Sequence, residues 1–273
     1  SAASDVYKRQ GVSDGSTSND ATIALTFTSS EATSNFAESD ITLGNGTLSS
    51  FTESSSTVYT ATFTPSAQGA CTIDVNAGTY TDTAGNNNLA ATQFNWLFDT
   101  VPPVLSQVTA ILTPSNDTTP SFVFTTNEAG TLSTNISQGF STSASVSSGS
   151  NQTVTFNTLP EGTYANKTIT VTDAAGNASN NLTIPTFVID TTSPIMTITA
   201  SEVSDGDISN DTTLSLTFTS SEATSNFIQS DITLGNGTLS SFTESSSTVY
   251  TATFTPSAQG ACTIDVAAGA YTD

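Results

Sequence analysis

Apolar and polar residues alternate in short bursts along most of the chain. Ile23, Leu25 and Phe27 make one burst, Tyr59, Ala61 and Phe63 a second, Cys71, Ile73 and Val75 a third, and Phe94, Trp96 and Phe98 a fourth. A period of two turns one row of side chains to a core and the other to water, so each burst predicts a half-buried β-strand. Turn formers separate the bursts, at Gly44-Asn45-Gly46, at Pro65 to Gly69 and at Gly85 to Asn88. The following stretch repeats the scheme with Phe122 and Phe124, Val154 and Phe156, Ile169 and Val171, and Phe187 and Ile189. Helical periodicity is missing throughout. Short strands with frequent turns predict an all-β chain of antiparallel sandwiches of the immunoglobulin type.

The pattern is repeated at the level of whole segments. Residues 12–82 and 203–273 align at an offset of 191, with 9 differences in 71 positions and hence 62 identities. The run from Ser39 to Val75 recurs unbroken as Ser230 to Val266. Between the copies lies a related unit, in which "FTSSEA" becomes "FTTNEA" and "FDTVPP" becomes "IDTTSP". The organisation is therefore A, B, A: one domain over 11–100, a second over 101–192, and a third over 193–273 that stops short of the last strand. Residues 1–10 stand apart. Their "DVYKRQ" matches the translation of a transposon-end adapter used in sequencing libraries, so they are read as an adapter-derived or disordered segment.

Charge narrows the function. Three Lys or Arg against 24 Asp or Glu, with no His, give a net charge of −21. Such a chain cannot neutralise phosphates, which excludes a nucleic-acid partner. It attracts cations instead. Only 10% of residues are charged and 35% hydrophobic, a polar, β-prone balance unlike that of a disordered acidic tail. No apolar run is long enough to span a bilayer as a helix. Catalysis also finds no footing: without His, the many Ser and Thr hydroxyls have no evident activating base, and the acidic residues map to turns and linkers. The chain is expected not to be an enzyme. Cys71 and Cys262 fall once per A unit at an inward strand position and read as small core residues, unpaired.

Three motifs mark the units: Asp-Thr-x-x-Pro at Asp99 and Asp190, the "SEA" and "NEA" ends of an early strand, and Asp-x-Ala-Gly-Asn at Asp82 and Asp173. On these the chain resembles the tandem bacterial immunoglobulin-like domains of large secreted, calcium-dependent repeat adhesins. The resemblance covers nearly everything after residue 10. It implies sandwiches strung like beads, an extracellular or cell-surface location, and calcium as the cofactor. Leu159, Gly162 and Tyr164 also match the tyrosine corner of such sandwiches, whereas Cys71 stands at the tyrosine position of the first unit.

In this topology each Asp-x-Ala-Gly-Asn turn precedes the final strand and each Asp-Thr pair follows it, 17 residues on. About ten extended residues span roughly 33 Å, so Asp82 and Asp99 belong to opposite ends of one domain. Domains stacked end to end then bring Asp99 to the pole of the second unit, beside Glu128, Asp173 and Asn177. At the next junction Asp190, Glu222 and Asp273 are expected to meet in the same way. Crowded carboxylates with so few cationic side chains call for a hard cation, and calcium takes six to eight oxygens. A plainer reading stays open, since Asp and Asn are favoured in turns for local hydrogen bonding alone.

The expected function is that of a spacer or stalk in a large extracellular adhesin with calcium-stiffened junctions. Its partners would be the neighbouring repeats of the same chain, with any surface or host ligand bound elsewhere in the parent protein. Two alternatives are a carbohydrate- or protein-binding module, which would need an exposed aromatic platform, and an accessory segment of a secreted polysaccharide-degrading enzyme.

Overall fold

The computed structural model describes residues 12–273 and, over 5–10, the backbone of one strand. The adapter reading of 1–10 otherwise lies outside the described residues. The described part falls into two compact units, the first ending at Asp190 and the second running Thr191–Asp273. Apart from two single 3₁₀ turns, at Glu38–Asp40 and Gln229–Asp231, its regular structure is all β.

The first sandwich contains β1 (Asp5–Gln10), β2 (Thr17–Ser18), β3 (Ile23–Ser29), β4 (Ile41–Gly44), β5 (Gly46–Ser55), β6 (Val58–Pro65), β7 (Gly69–Val75) and β8 (Phe94–Phe98). They form two sheets of four, in the orders β1-β3-β6-β5 and β2-β8-β7-β4. The alternation in the sequence is the reason. Ile23, Leu25 and Phe27 from β3, Tyr59, Ala61 and Phe63 from β6, and Cys71, Ile73 and Val75 from β7 close one buried core with Phe94 and Trp96. Packing there is tight: a Cβ on Gly46 would stand 2.0 Å from Cζ of the fully buried Phe63. An alanine at that position would therefore displace the ring, which costs on the order of 1–3 kcal/mol in a filled core. A second aromatic group forms at one end, where Phe36 meets Phe27, Phe51, Tyr59 and Tyr80.

The second sandwich contains β9 (Leu105–Thr109), β10 (Ser121–Thr126), β11 (Gly130–Thr134), β12 (Ser145–Val146), β13 (Asn151–Thr155), β14 (Gly162–Tyr164), β15 (Lys167–Thr172), β16 (Leu182–Ile184) and β17 (Phe187–Ile189). Phe122, Phe124, Val154, Phe156, Ile169, Val171, Phe187 and Ile189 are all inside. The sequence reads one continuous final strand here, and the structure divides it. β16 pairs with β15, but β17 pairs with β14 in another sheet. Pro185 falls at the changeover; it has no N–H to give a ladder, so the strand breaks there. Tyr164 forms the expected corner, donating its hydroxyl to the Pro160 carbonyl at 2.8 Å and stacking on Phe187.

The third sandwich contains β18 (Met196–Ala200), β19 (Leu214–Ser220), β20 (Ile232–Gly235), β21 (Gly237–Ser246), β22 (Val249–Pro256) and β23 (Thr263–Val266). The sheet β18-β19-β22-β21 reproduces that of the first sandwich, but the opposite sheet is only β20-β23. Met196 lies opposite Ser220 on β19 just as Asp5 lies opposite Ser29 on β3. Backbone groups make these bonds, so unlike sequences can take one place. The reading of both cysteines as core residues holds for Cys71 and fails for Cys262, which is exposed. Cys71 lies opposite Trp96 of β8, and among the described residues no strand takes that role beside Cys262.

Candidate metal centre

The turn at Asp173 is built by its own side chain. One carboxylate oxygen, Oδ1, accepts the N–H groups of Ala175 at 2.8 Å and Asn177 at 2.9 Å, and Oδ2 accepts the Asn177 side-chain amide at 2.9 Å. Asp82 makes the same three bonds with Ala84 and Asn86 in the first sandwich. Those bonds, the Asn86 amide foremost, hold the Asp82 carboxyl below its ordinary range. Turn chemistry therefore accounts for the Asp-x-Ala-Gly-Asn motif at both places.

It does not account for what arrives beside Asp173. Asp99, leaving β8, and Glu128, in the turn between β10 and β11, bring carboxylate oxygens within 4.8 Å of one another and of Asp173. Each comes from a different segment. The Asp99 N–H is bonded to the Ser18 carbonyl at 3.0 Å, and its Oδ1 takes the Val101 N–H at 2.9 Å. The Thr100 N–H goes to Gln68 of the first sandwich, whereas the Val104 N–H goes to Asn127 of the second. These bonds fix the linker at both ends and aim Asp99 at the pole of the second sandwich.

Desolvation, with the nearby Asp99 and Asp173 charges adding to it, pushes the Glu128 carboxyl up from its ordinary value. Among the described residues no ammonium relieves the crowding. Lys167, the only Lys or Arg among residues 12–273, lies over the Tyr164 ring. Asn177 meets the acids with its nitrogen. That nitrogen donates to the Asp99 carbonyl and to Asp173, and its oxygen accepts from Asn19 at 2.9 Å. In this arrangement Asn177 braces the cluster, and its oxygen faces away from it.

Asn19 is the residue that reading the sequence missed. Its partner lies 158 positions away, although the recurrence of Ser-Asn-Asp at Ser18 and Ser209 gave a faint signal. The other expected residues are spread over the two units. Asp190 belongs to the first, with its N–H on the Ser115 carbonyl. Glu222 follows β19 in the second, where it and Asp273 bring carboxylate oxygens within 4.8 Å. The acidic residues before the first full strands make backbone bonds: Asp14 accepts the Asn95 N–H from β8, 81 residues on, and Asp207 accepts the Ser204 N–H within a local turn.

Three carboxylates with neither imidazole nor thiolate make a donor set for a hard, oxygen-seeking cation and a poor one for zinc or copper. Asp99, Glu128 and Asp173 would hold it, leaving coordination positions for water.

Comparison with known sequences agrees with the sandwich architecture. A profile described as "Bacterial Ig-like domain" matches residues 11–97 and 190–273, and a second profile of the same description matches 113–191. The chain belongs to the bacterial Ig-like domain family. No curated protein matches it. Among solved structures it is similar to invasin, titled a bacterial integrin-binding protein, with 18% identity over 96% of this chain and 56% of that one, at a TM-score of 0.33. It is also similar to the Yersinia pseudotuberculosis adhesin InvE, at 18% identity, 67% and 58% coverage and a TM-score of 0.26. A third is the Bacteroides ovatus glucan-utilisation protein SGBP-B in complex with a mixed-linkage heptasaccharide, at 20% identity, 75% and 50% coverage and a TM-score of 0.20. The chain thus spans 50–58% of the solved chains it matches. No helix among the described residues is long and apolar enough to cross a membrane.

Proposed function

We propose that this chain is a non-enzymatic spacer from a large extracellular bacterial adhesin, and that calcium at the junction of its first two sandwiches sets the stiffness of the stalk. One observation carries the reading: Asp99, Glu128 and Asp173, from a linker and two turns, present their oxygens within 4.8 Å of one another. A cation bound there ties the end of one sandwich to the pole of the next. Domains on short linkers move relative to one another by default, so that tie acts on the hinge more than on either core. The character of the surface agrees. Among the described residues the exposed large apolar side chains are aliphatic, Val104 and Leu112 among them, with no aromatic platform to grip a sugar.

Small-angle scattering of the whole chain, with excess calcium and with chelator, tests the proposal. Calcium should lengthen the particle and narrow its distribution of shapes. Glu128→Gln should weaken that response at least tenfold in calcium concentration, because it removes one charge while no side-chain bond of the turn depends on it. Superimposable profiles with calcium and chelator would reject both the site and the stiffening.

A further inference from the structure

The first two sandwiches each hold a short parallel contact between an early segment of the domain and the strand by which the chain leaves it. In the first, β2 lies parallel to β8, with Thr17 opposite Leu97 and Ser18 opposite Phe98. The Gly15 N–H meets the Asn95 carbonyl at 2.8 Å, the Leu97 N–H the Ser16 carbonyl at 2.9 Å, and the Asp99 N–H the Ser18 carbonyl at 3.0 Å. The Asp14 carboxylate extends the row by taking the Asn95 N–H at 2.9 Å. In the second sandwich the contact narrows to one bridge, Ser115 beside Ile189. The Ser115 N–H meets the Val188 carbonyl at 3.1 Å and the Asp190 N–H the Ser115 carbonyl at 3.0 Å. The Val188 N–H goes to the Thr113 hydroxyl at 2.8 Å, where its counterpart Leu97 has a backbone carbonyl. The leaving strand itself explains the difference. β8 runs whole from Phe94 to Phe98, whereas β17 begins only at Phe187, after the break at Pro185.

We propose that these contacts are load-bearing clamps of unequal strength, and that under tension the second sandwich opens before the first. The two segments of each clamp run the same way. Tension along the chain therefore draws the early segment toward one pole and the leaving strand toward the other, and the bonds between them are sheared together instead of opening one at a time. A longer row shares the load among more bonds, and a charged acceptor such as Asp14 makes a bond about twice as strong as a neutral one. Core anchoring does not separate the two clamps, since Val12 and Ile111 bury each early segment alike. The strands that tension meets on the way in rank the same way: β1 faces β3 over six residue pairs, and β9 faces β10 over four, with a bulge among them. The proposal deepens the spacer reading and rests on it only in that the chain is pulled from its ends; it needs no calcium. A stalk so built lengthens by steps under a sudden pull, the second kind of sandwich giving way while the first keeps its core closed.

Pulling the whole chain by its two ends in optical tweezers, in chelator, tests the ranking. Forced opening is governed by the unfolding rate, so single bonds in the clamps are read directly. Thr113→Val keeps the shape and removes the hydroxyl acceptor; at fixed force it should speed one opening event on the order of fivefold. Asp14→Ala should speed a different event, on the order of tenfold, and in the unaltered chain that event should need the higher force. Tyr164→Phe weakens the second sandwich outside the parallel contact, so it should lower the denaturant midpoint and leave the opening force unchanged. Opening of the first sandwich before the second would overturn the ranking. A fall in force as large in Tyr164→Phe as in Thr113→Val would overturn the clamps, because force would then follow overall stability alone, and so would opening rates that neither clamp variant changes. Chelator removes any bound calcium, so these outcomes stand apart from those of the scattering test.

Discussion

The Asn19 side-chain nitrogen donates to the Asn177 side-chain oxygen at 2.9 Å, across 158 residues of sequence. Through this bond the loop after β2 in the first sandwich is tied to the pole of the second. Asn177 also donates to the Asp99 carbonyl in the linker, so one amide joins three segments of the junction. Its counterpart Asn86 makes the turn bond to Asp82 and serves as the natural control.

Replacing Asn177 with Leu keeps the approximate size and removes the bonds to Asn19, Asp99 and Asp173. Losing partners of this kind costs on the order of 1–3 kcal/mol. Asn86→Leu should lose only the turn contribution. Hydrogen exchange at residues 17–20 and 99–101 should accelerate in the Asn177 variant and stay unchanged in the Asn86 variant.

Glu128 gives a pH dependence of known sign. A carboxyl whose folded value is raised binds its proton more readily in the native state, so the fold gains stability as pH falls through that raised range and loses it as pH rises. In chelator at neutral pH, Glu128→Gln should therefore melt higher than the wild type, on the order of a few °C for a domain of this size. The gap should close as acid protonates Glu128. Differential scanning calorimetry across pH 4–8, an interval that brackets the ordinary glutamate value of about 4.3, checks both parts. With saturating calcium the order should invert.

Asp82 runs the other way. Its lowered value means that its contribution is present above the ordinary aspartate range and lost as pH falls through the folded value. Asp82→Ala should remove the bonds to Ala84 and Asn86, lower the melting point at neutral pH, and lose that effect in strong acid.

Trp96→Ala should cost the first sandwich about 3–5 kcal/mol, the usual range for emptying an aromatic core position. It also uncovers Cys71, which should begin to label at a rate approaching that of Cys262. Thiol labelling under native conditions measures this directly.

Tyr164→Phe keeps the stack on Phe187 and loses only the 2.8 Å bond to Pro160. The expected cost is about 0.5–1 kcal/mol, read as a drop in the denaturant midpoint with an unchanged slope.

Much of this was legible in the residue order, for a definite reason. Strand identity follows from a period of two, and that period survives wherever one face is dry: Ile23, Leu25 and Phe27 could be assigned to the core with no knowledge of their partners. The meeting of Asp99 with Glu128 and Asp173 was also readable, because constant spacing in a repeat fixes which ends face each other. What the sequence did not contain is information about neighbours. It could not show that Asn177 turns its nitrogen to the acids, since Asn19 reaches it only through the packed fold. It could not show that Pro185 sends one half of a strand to another sheet. The seven residues at Gly69 and again at Gly260 make the point most directly. Alternation marks both as β-prone, but strand length and the burial of the cysteine depend on whether β8 lies alongside, because a strand's hydrogen bonds and its dry face are completed by another segment of chain.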